Sequence, residues 1–250
     1  MDIQTLIDRG ALFVVSHSGG KDSQAMLIKV RALVPAQQIL VIHADLPGVE
    51  WEGTEAHARR YCDGLAYQVV RANVTFLQEV ERRKKWPAPA FRSCTSQLKT
   101  GPIEKAIRHY VKANGLNGLV VNCMGLRAAE SCQRAKRQPF TFNEKNSKAG
   151  RQWFDWLPIF DMSTEQVFAT IREAGQELHF AYGLGMSRLS CRFCIMASKA
   201  DLRIAAQHNP EAFKEIAETE KRIGHTMFTN GKNPIGIEAH IGVKAITGGK

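Results

Sequence analysis

Eight consecutive residues, Ser16-His17-Ser18-Gly19-Gly20-Lys21-Asp22-Ser23, carry the densest set of groups able to hold an anion. Adjacent glycines let the backbone turn tightly and point its N–H groups inward, and Lys21 adds a full positive charge. Ser18 and Ser23 contribute short hydroxyl donors. Set between an apolar strand and a helix, whose N-terminus is the positive end of its dipole, the string suits phosphate or pyrophosphate. A Gly-Gly turn beside a solvated lysine accounts for the dipeptide but not for the whole string in that setting. The spacing departs from G-x-x-x-x-G-K-[ST], so this is not a Walker A loop.

The cysteines form the second candidate. Cys191 and Cys194 make a C-x-x-C around Arg192 and Phe193. Such a pair serves as a redox couple, half of a zinc site or half of an iron–sulfur site. Zinc calls for a second pair or for histidines at ligand spacing, and the local pattern has neither. Cys123 falls in a predicted strand and Cys62 in a predicted helix, where each reads as a small buried hydrophobe. Cys132 stands open between ligand and bystander. In a reducing compartment structural disulfides are not expected.

These residues need a frame, and the hydrophobic pattern predicts one. Residues 11–16, 38–43, 67–71 and 119–124 read as short buried strands. Helices are predicted over 24–33, from about 51 to 64, and over 102–114, the last with proline in its first turn and Gly115 after its end. Strand and helix in alternation predict an α/β fold, a Rossmann-like, mostly parallel sheet with helices on both faces. Ligands of such sheets sit at the carboxyl ends of the strands.

The second half is less regular. Residues 134–151 hold six basic side chains against the single acid Glu144 and read as a functional lid or mobile loop. Ser163 with Gln166 marks a capped helix running to about Glu173. Helices near 200–207 and 210–222 precede a glycine-punctuated tail. With no repeat and no linker, the chain reads as a single domain over 1–250, its core at about 10–160 and a helical and loop region carrying the C-x-x-C at about 161–250.

Composition bounds the function. With 44% hydrophobic and 23% charged residues the chain can bury a sizeable core, which excludes a disordered chain, a fibre and a disulfide-stapled miniprotein. Its apolar runs fall far short of the roughly 20 residues needed to cross a bilayer. The first residues show no signal-peptide layout, so the expectation is a cytoplasmic protein with no membrane partner. Thirty-four Lys and Arg against 24 Asp and Glu leave a charge of +10, which favours nucleotides, nucleic acid or an acidic protein as partner.

Taken in order, several segments resemble one family. SGGKDS is similar to the PP-loop of the N-type ATP pyrophosphatases, and more narrowly of the phosphoadenosine-phosphosulfate (PAPS) reductase family, whose fold is adenine nucleotide alpha hydrolase-like. The segment from His43 to Trp51 resembles that family's second-strand block. Arg92-Ser93-Cys94-Thr95 with Leu98-Lys99 and Pro102-Ile103 resembles R-x-C-T…LK…PI, and Gly125 to Ser131 resembles G-x-R-x-x-E-S. Leu157 to Asp161 and Gly185 to Cys191 match later blocks, so the likeness runs from about residue 12 to 200.

The resemblance implies an enzyme that uses ATP with magnesium. It implies that Ser16, Ser18, Gly19, Gly20, Lys21, Asp22 and Ser23 contact phosphate, that Asp45 lies near the nucleoside or magnesium, that Gly125 belongs to the nucleotide-binding set and that Arg127 meets the α-phosphate. Lys21, Asp22 and Arg127 would then be the catalytic set. Plainer roles are a turn cap for Asp45 and a surface pair for Arg127. Among the metals the resemblance favours an iron–sulfur cluster, of the 4Fe-4S kind, on Cys94, Cys191 and Cys194. Cys94-Thr95 replaces the dicysteine of cluster-bearing members, so either Cys132 is the fourth ligand or one iron stays open.

Sulfonucleotide reductases of the family carry a C-terminal catalytic cysteine, and no cysteine follows Cys194. The combination resembles instead the DNA phosphorothioation proteins of the SspD and DndC type, which act in phage defence. That implies adenylylation of the DNA backbone, a cysteine desulfurase as sulfur donor, other DNA-modification proteins as partners and a possible homo-oligomer. Arg82, Arg83, Lys84, Lys85 and the 134–151 stretch would hold the DNA. The alternatives are a sulfonucleotide reductase, a tRNA thiolase, and a non-catalytic nucleotide-binding subunit.

Overall fold

The structure, a computed structural model, describes residues 1–246; the end of the tail, 247–250, lies outside the described residues. In chain order the elements begin α1 (Ile3–Asp8), β1 (Leu12–Ser16), α2 (Lys21–Leu33), β2 (Ile39–Ala44), α3 (Thr54–Arg60), β3 (Ala66–Val70) and α4 (Phe76–Arg83). They continue with α5 (Ser93–Thr95), α6 (Gly101–Ala113), β4 (Leu119–Cys123), α7 (Cys132–Ala135), β5 (Phe140–Phe142) and β6 (Gln152–Trp156). Last come α8 (Thr164–Glu173), α9 (Lys199–His208), α10 (Pro210–Ile223), β7 (Phe228–Asn230), β8 (Asn233–Ile235) and α11 (Ile237–Ile241).

The chain divides into two compact units that alternate along it. Residues 1–44, 53–70 and 103–179 form the first, and 45–52, 71–102 and the chain from 180 onward form the second. Because each is assembled from three stretches, no single linker marks the division.

The first unit holds a six-stranded sheet in the order β3-β2-β1-β4-β6-β5, parallel except for β5, which runs antiparallel to β6. Strand side chains alternate between faces, and the core shows it. Phe13, Val15, Val41, Val121 and Cys123 pack on Met26 and Val30 of α2 and on Val167 and Ile171 of α8. Their neighbours Leu12, Val14, Leu40, Ile42 and Val120 face the other way, onto Ile107 and Val111 of α6. Each such fully buried side chain contributes about 1.5–3 kcal/mol. Helices therefore cover both faces, and the expected Rossmann-like α/β sheet is the observed one.

Some boundaries differ from the sequence reading. Helix α2 starts at Lys21 rather than near residue 24, because Gly20 is its N-cap and the loop lysine enters the first turn. Helix α3 covers only Thr54–Arg60, since Gly53 at φ 74° breaks the predicted longer helix at its start. Residues 134–151 are not a free lid. Phe140 and Phe142 alternate on β5 and pack against Phe154 of β6, with centroids 5.4 Å away in both pairs. Asn143 and Ser147 bond to Asp155 and Trp153, and Lys145 and Asn146 bond to Glu104. Scattered apolar residues in a polar run hid a strand whose value lies in its pairing.

In the second unit α5 passes through a π turn at Ser96–Thr100 into the start of α6. Trp51, Trp86, Leu202, Phe213 and Ile237 are buried together with parts of α4, α9, α10 and α11. A smaller cluster sets Cys94 and Cys191 against Leu46, Val49 and Leu98. Among the described residues no helix is long and apolar enough to cross a membrane.

Candidate functional site

The strand order reverses between β1 and β4, with β2 and β3 on one side and β6 and β5 on the other. Ligand crevices of open parallel sheets form at the carboxyl ends of strands at such a point. Residues 16–20 leave β1 there, and Gly125 to Arg127 leave β4. Gly19 takes a positive φ of 75°, which glycine adopts at no steric cost. Ser23 Oγ donates to the Gly20 carbonyl at 2.8 Å and accepts the Ser18 N–H at 3.2 Å, tying the turn to α2. A Cβ on Gly125 would meet the Asp22 carbonyl at 3.1 Å, so a glycine lets the β4 loop close on the first turn of α2.

His17 adds a device that sequence reading missed. Its Nδ1 accepts the Gly19 N–H at 3.1 Å, which requires the neutral ring with its proton on Nε2. Burial, with His43 and His57 nearby, pushes its pKa down to about 3, so the ring stays neutral. His43 bonds through Nδ1 to the His17 carbonyl at 2.8 Å. The loop backbone is thus held from beneath.

Three charges converge beside it. Lys21 Nζ lies 3.3 Å from Asp22 Oδ2, and Arg127 Nε donates to Asp22 Oδ1 at 2.7 Å. Arg127 is only 4% exposed. Its Nη1 also donates to the Met162 carbonyl at 3.2 Å and to Thr164 Oγ1 at 3.3 Å, and its backbone N–H to Glu130 at 2.9 Å. The surface pair considered for Arg127 is therefore a part-buried one, its guanidinium covered and Asp22 reached by some solvent. One carboxylate between two cations leaves a net positive charge at the loop, which suits an anionic, phosphate-bearing ligand. Lys21, Asp22, Gly125 and Arg127 come together with Ser16, Ser18, Gly19, Gly20 and Ser23, all within the first unit.

Asp45 follows β2 and belongs to the second unit, where its Oδ2 lies 2.5 Å from Arg71 Nε. As for magnesium, both oxygens of Asp22 already face cations, so that carboxylate has no free oxygen for the ion.

The second unit gathers Cys94, Cys191 and Cys194. Burial pushes the Cys191 thiol up to about 11; Lys99 opposes that rise while Cys194, Glu50 and Cys94 add to it. Burial also raises Cys94, with Cys194 contributing. The lysine is shifted upward by Cys191 foremost, against its own desolvation. Three thiols around a shielded ammonium fit an anionic sulfur-ligated group, because thiolates form more readily beside a cation.

The two residues inside C-x-x-C anchor it. The Arg192 N–H donates to the Val49 carbonyl at 2.9 Å, and its guanidinium bonds to Asn209 and to the Gly48 carbonyl. Phe193 packs on Phe213, centroids 5.7 Å apart. Cys132 lies in the first unit, exposed at the start of α7. Cys62 and Cys123 are buried, as hydrophobes should be.

The basic candidates are partly occupied. Arg82 makes a two-pronged contact with Glu79, each bond 2.9 Å, and Arg83 lies 3.7 Å from the same carboxylate. Lys84 and Lys85 are exposed. Arg134 pairs with Glu130. Lys99 stood inside a quoted motif, but only folding shows its three thiol neighbours.

Comparisons with known proteins show the family. A family model described as the phosphoadenosine phosphosulfate reductase domain matches residues 12–197. An uncharacterized 37.8 kDa protein of Escherichia phage 186 is 26% identical over 178 residues, 68% of this chain and 52% of that protein. The chain thus spans about half the length of that curated relative. Among solved structures, the PAPS reductase of Candida auris in a phosphate complex is 15% identical, with 72% of this chain and 80% of that one covered and a TM-score of 0.45. The U34-tRNA thiolase NcsA of Methanococcus maripaludis, with its [4Fe-4S] cluster, is 12% identical, with 94% and 80% covered and a TM-score of 0.49. Both likenesses are of fold alone.

Proposed function

The chain belongs to the phosphoadenosine phosphosulfate reductase domain family, and we propose that it is an ATP pyrophosphatase that adenylylates an oxygen of its substrate so that sulfur can replace it. The acceptor we assign is a DNA backbone phosphate, as in phosphorothioation of the SspD and DndC kind. One observation carries the reading: Lys21 and Arg127 flank Asp22 beside a glycine turn at the sheet's reversal point. A non-bridging acceptor oxygen attacks the α-phosphorus of ATP, the bond to the β-phosphate breaks, and pyrophosphate leaves. Hydrosulfide then attacks the activated phosphorus and expels AMP.

The chain's own residues bind and orient. Loop N–H groups and Lys21 hold the β and γ phosphates, Arg127 meets charge growing on the α-phosphate, and Asp22 keeps both cations in place. Cys94, Cys191 and Cys194 would hold an iron–sulfur cluster, which supplies activated sulfur when bound. A cysteine desulfurase is the sulfur source in this reading, its persulfide sulfur reduced to hydrosulfide by a thiol reductant that is itself oxidised to a disulfide, and magnesium enters with ATP.

The test is pyrophosphate release by the anaerobically purified protein with ATP, duplex DNA and a sulfide source, followed by nuclease digestion and mass spectrometry for phosphorothioate. Release dependent on DNA is expected. The family's name favours a second reading, a sulfonucleotide reductase. Sulfite formed from PAPS or adenylylsulfate with a thiol donor, and no pyrophosphate from ATP, would establish that reading and remove ours.

A further inference from the structure

At the amino ends of β4 and β6, the end of the sheet remote from the phosphate loop, lies an open cleft of about 1030 Å³. Arg108, His109 and Lys112 of α6 line one side, and Arg151, just before β6, lines the other. Helix α6 turns Ile107 and Val111 into the core, which leaves Arg108 and Lys112, four residues apart, on one outward face about 6 Å apart along the axis. Gly118 brings Arg151 to them. It sits at φ +80°, and a Cβ there would meet the Gly150 carbonyl at 3.0 Å, so only glycine lets the 150–151 backbone approach this closely.

The cleft's charge is uncompensated. No acidic residue lines it, and among the described residues none of Arg108, Lys112 and Arg151 forms an ion pair. Glu104, the one acid of α6, is taken by Lys145 and Asn146. The Nε of Arg151 is shielded from solvent without a hydrogen-bond partner, a donor that a bound acceptor would satisfy.

We propose that this cleft binds the sugar–phosphate backbone of double-stranded nucleic acid without reading its sequence. A protein partner would want an apolar centre with aromatic anchors, and a small anion an enclosed pocket with converging donors. The cleft has an apolar floor from Val111, Ala113 and Leu116 but no aromatic anchor, and it is open rather than enclosed. Single strands bind on stacking platforms, and no Phe, Tyr or Trp lines it. Cations spaced along a rigid helix beside an open channel match a duplex backbone. The inference rests on the nucleic-acid partner proposed above but not on the chemistry at the phosphate loop.

The experiment measures fluorescence anisotropy of a labelled 20-base-pair duplex with the full chain between 50 and 200 mM KCl. The triple variant R108Q/K112Q/R151Q should bind about 10-fold or more weakly, with a log–log salt slope shallower by about two to three, equally for two unrelated sequences. A control with the same loss of charge elsewhere, K29Q/K199Q/K232Q, should lose much less. Should the triple variant fail to fold, R108Q/K112Q, which alters only the outer face of α6, must still lower affinity and slope. Wild-type affinity and slope in a folded variant would overturn the proposal, as would an equal loss in the control. Cleft-dependent duplex binding without pyrophosphate release sustains this inference while the functional reading fails.

Discussion

The phosphate loop shapes itself: Ser23 holds the Gly20 carbonyl and the Ser18 N–H, His17 holds Gly19, and the charges at its mouth are already paired. The cysteine site works otherwise, with thiols from two distant stretches held by Arg192 and Phe193 and one lysine supplying the positive charge. A site formed from contiguous residues can be preorganised by local hydrogen bonds. One formed from separate segments depends on tertiary packing and on what binds it. Substitutions in the first should therefore cost catalysis with the fold intact, while those in the second should cost the bound group.

The sharpest break of that contrast is Lys21→Ala. Removing a preorganised charge from the phosphates should lower pyrophosphate release by about 10²–10³-fold or more, with an unchanged circular dichroism spectrum. Retained turnover would remove the loop from the mechanism. Next is Cys191→Ser, for which the expectation is loss of iron and of the brown absorbance in anaerobically prepared protein, matched by Cys94→Ser. Cys132→Ser separates the two readings of that exposed cysteine: loss of iron makes it the fourth ligand, and full retention leaves the site with three. Zinc in place of iron in the wild type would end the cluster reading.

Arg127→Met tests whether the charge pair also supports the fold. It removes one partner of a part-buried pair, but Asp22 retains Lys21 and some solvent, so the cost should fall to about 2–3 kcal/mol rather than the full range for an abandoned buried charge. Urea unfolding measures it. A change under half a kcal/mol would show the pair to be catalytic equipment alone.

How much of this was legible beforehand follows from the same contrast. Eight contiguous residues marked the glycine turn between β1 and α2, and strand–helix alternation announced the sheet and the end at which that turn would sit. The supporting roles of His17 and Thr164 were hidden, since each depends on a side chain's direction after folding. The cysteine set was legible only through motif likeness, because Cys94 and Cys191 are brought into one cluster by Leu46, Val49 and Leu98, which announce no chemistry of their own. Strand β5 was lost in a basic run, and the interleaving of two units leaves no trace in composition.

His17 gives a pH signature to the loop. Its folded pKa of about 3 lies below the ordinary 6.5, so the unfolded chain binds this proton before the folded one does. The group's contribution is therefore complete above pH 6.5 and is lost as pH falls toward 3, at about 1.4 kcal/mol per unit. Between pH 7.5 and 5 the first unit should lose about 2 kcal/mol to this residue. His17→Phe should flatten that part of the urea midpoint's pH dependence; an unaltered slope would show that His17 is not held neutral.

The smallest expected effect lies one step behind the pair. Ser163 caps α8 by accepting the Gln166 N–H at 3.2 Å, while the Gln166 side chain accepts the Ser163 N–H at 2.7 Å. The next residue, Thr164, and the nearby Met162 carbonyl are the acceptors for Arg127 Nη1. Ser163→Ala should cost about 1 kcal/mol of stability. If the cap also fixes those acceptors, pyrophosphate release should fall a few-fold with little change in the KM for ATP, and Ser163→Asp, which caps equally well, should restore it. Full activity in Ser163→Ala would confine the cap to stability and leave Asp22 as the group that orients Arg127.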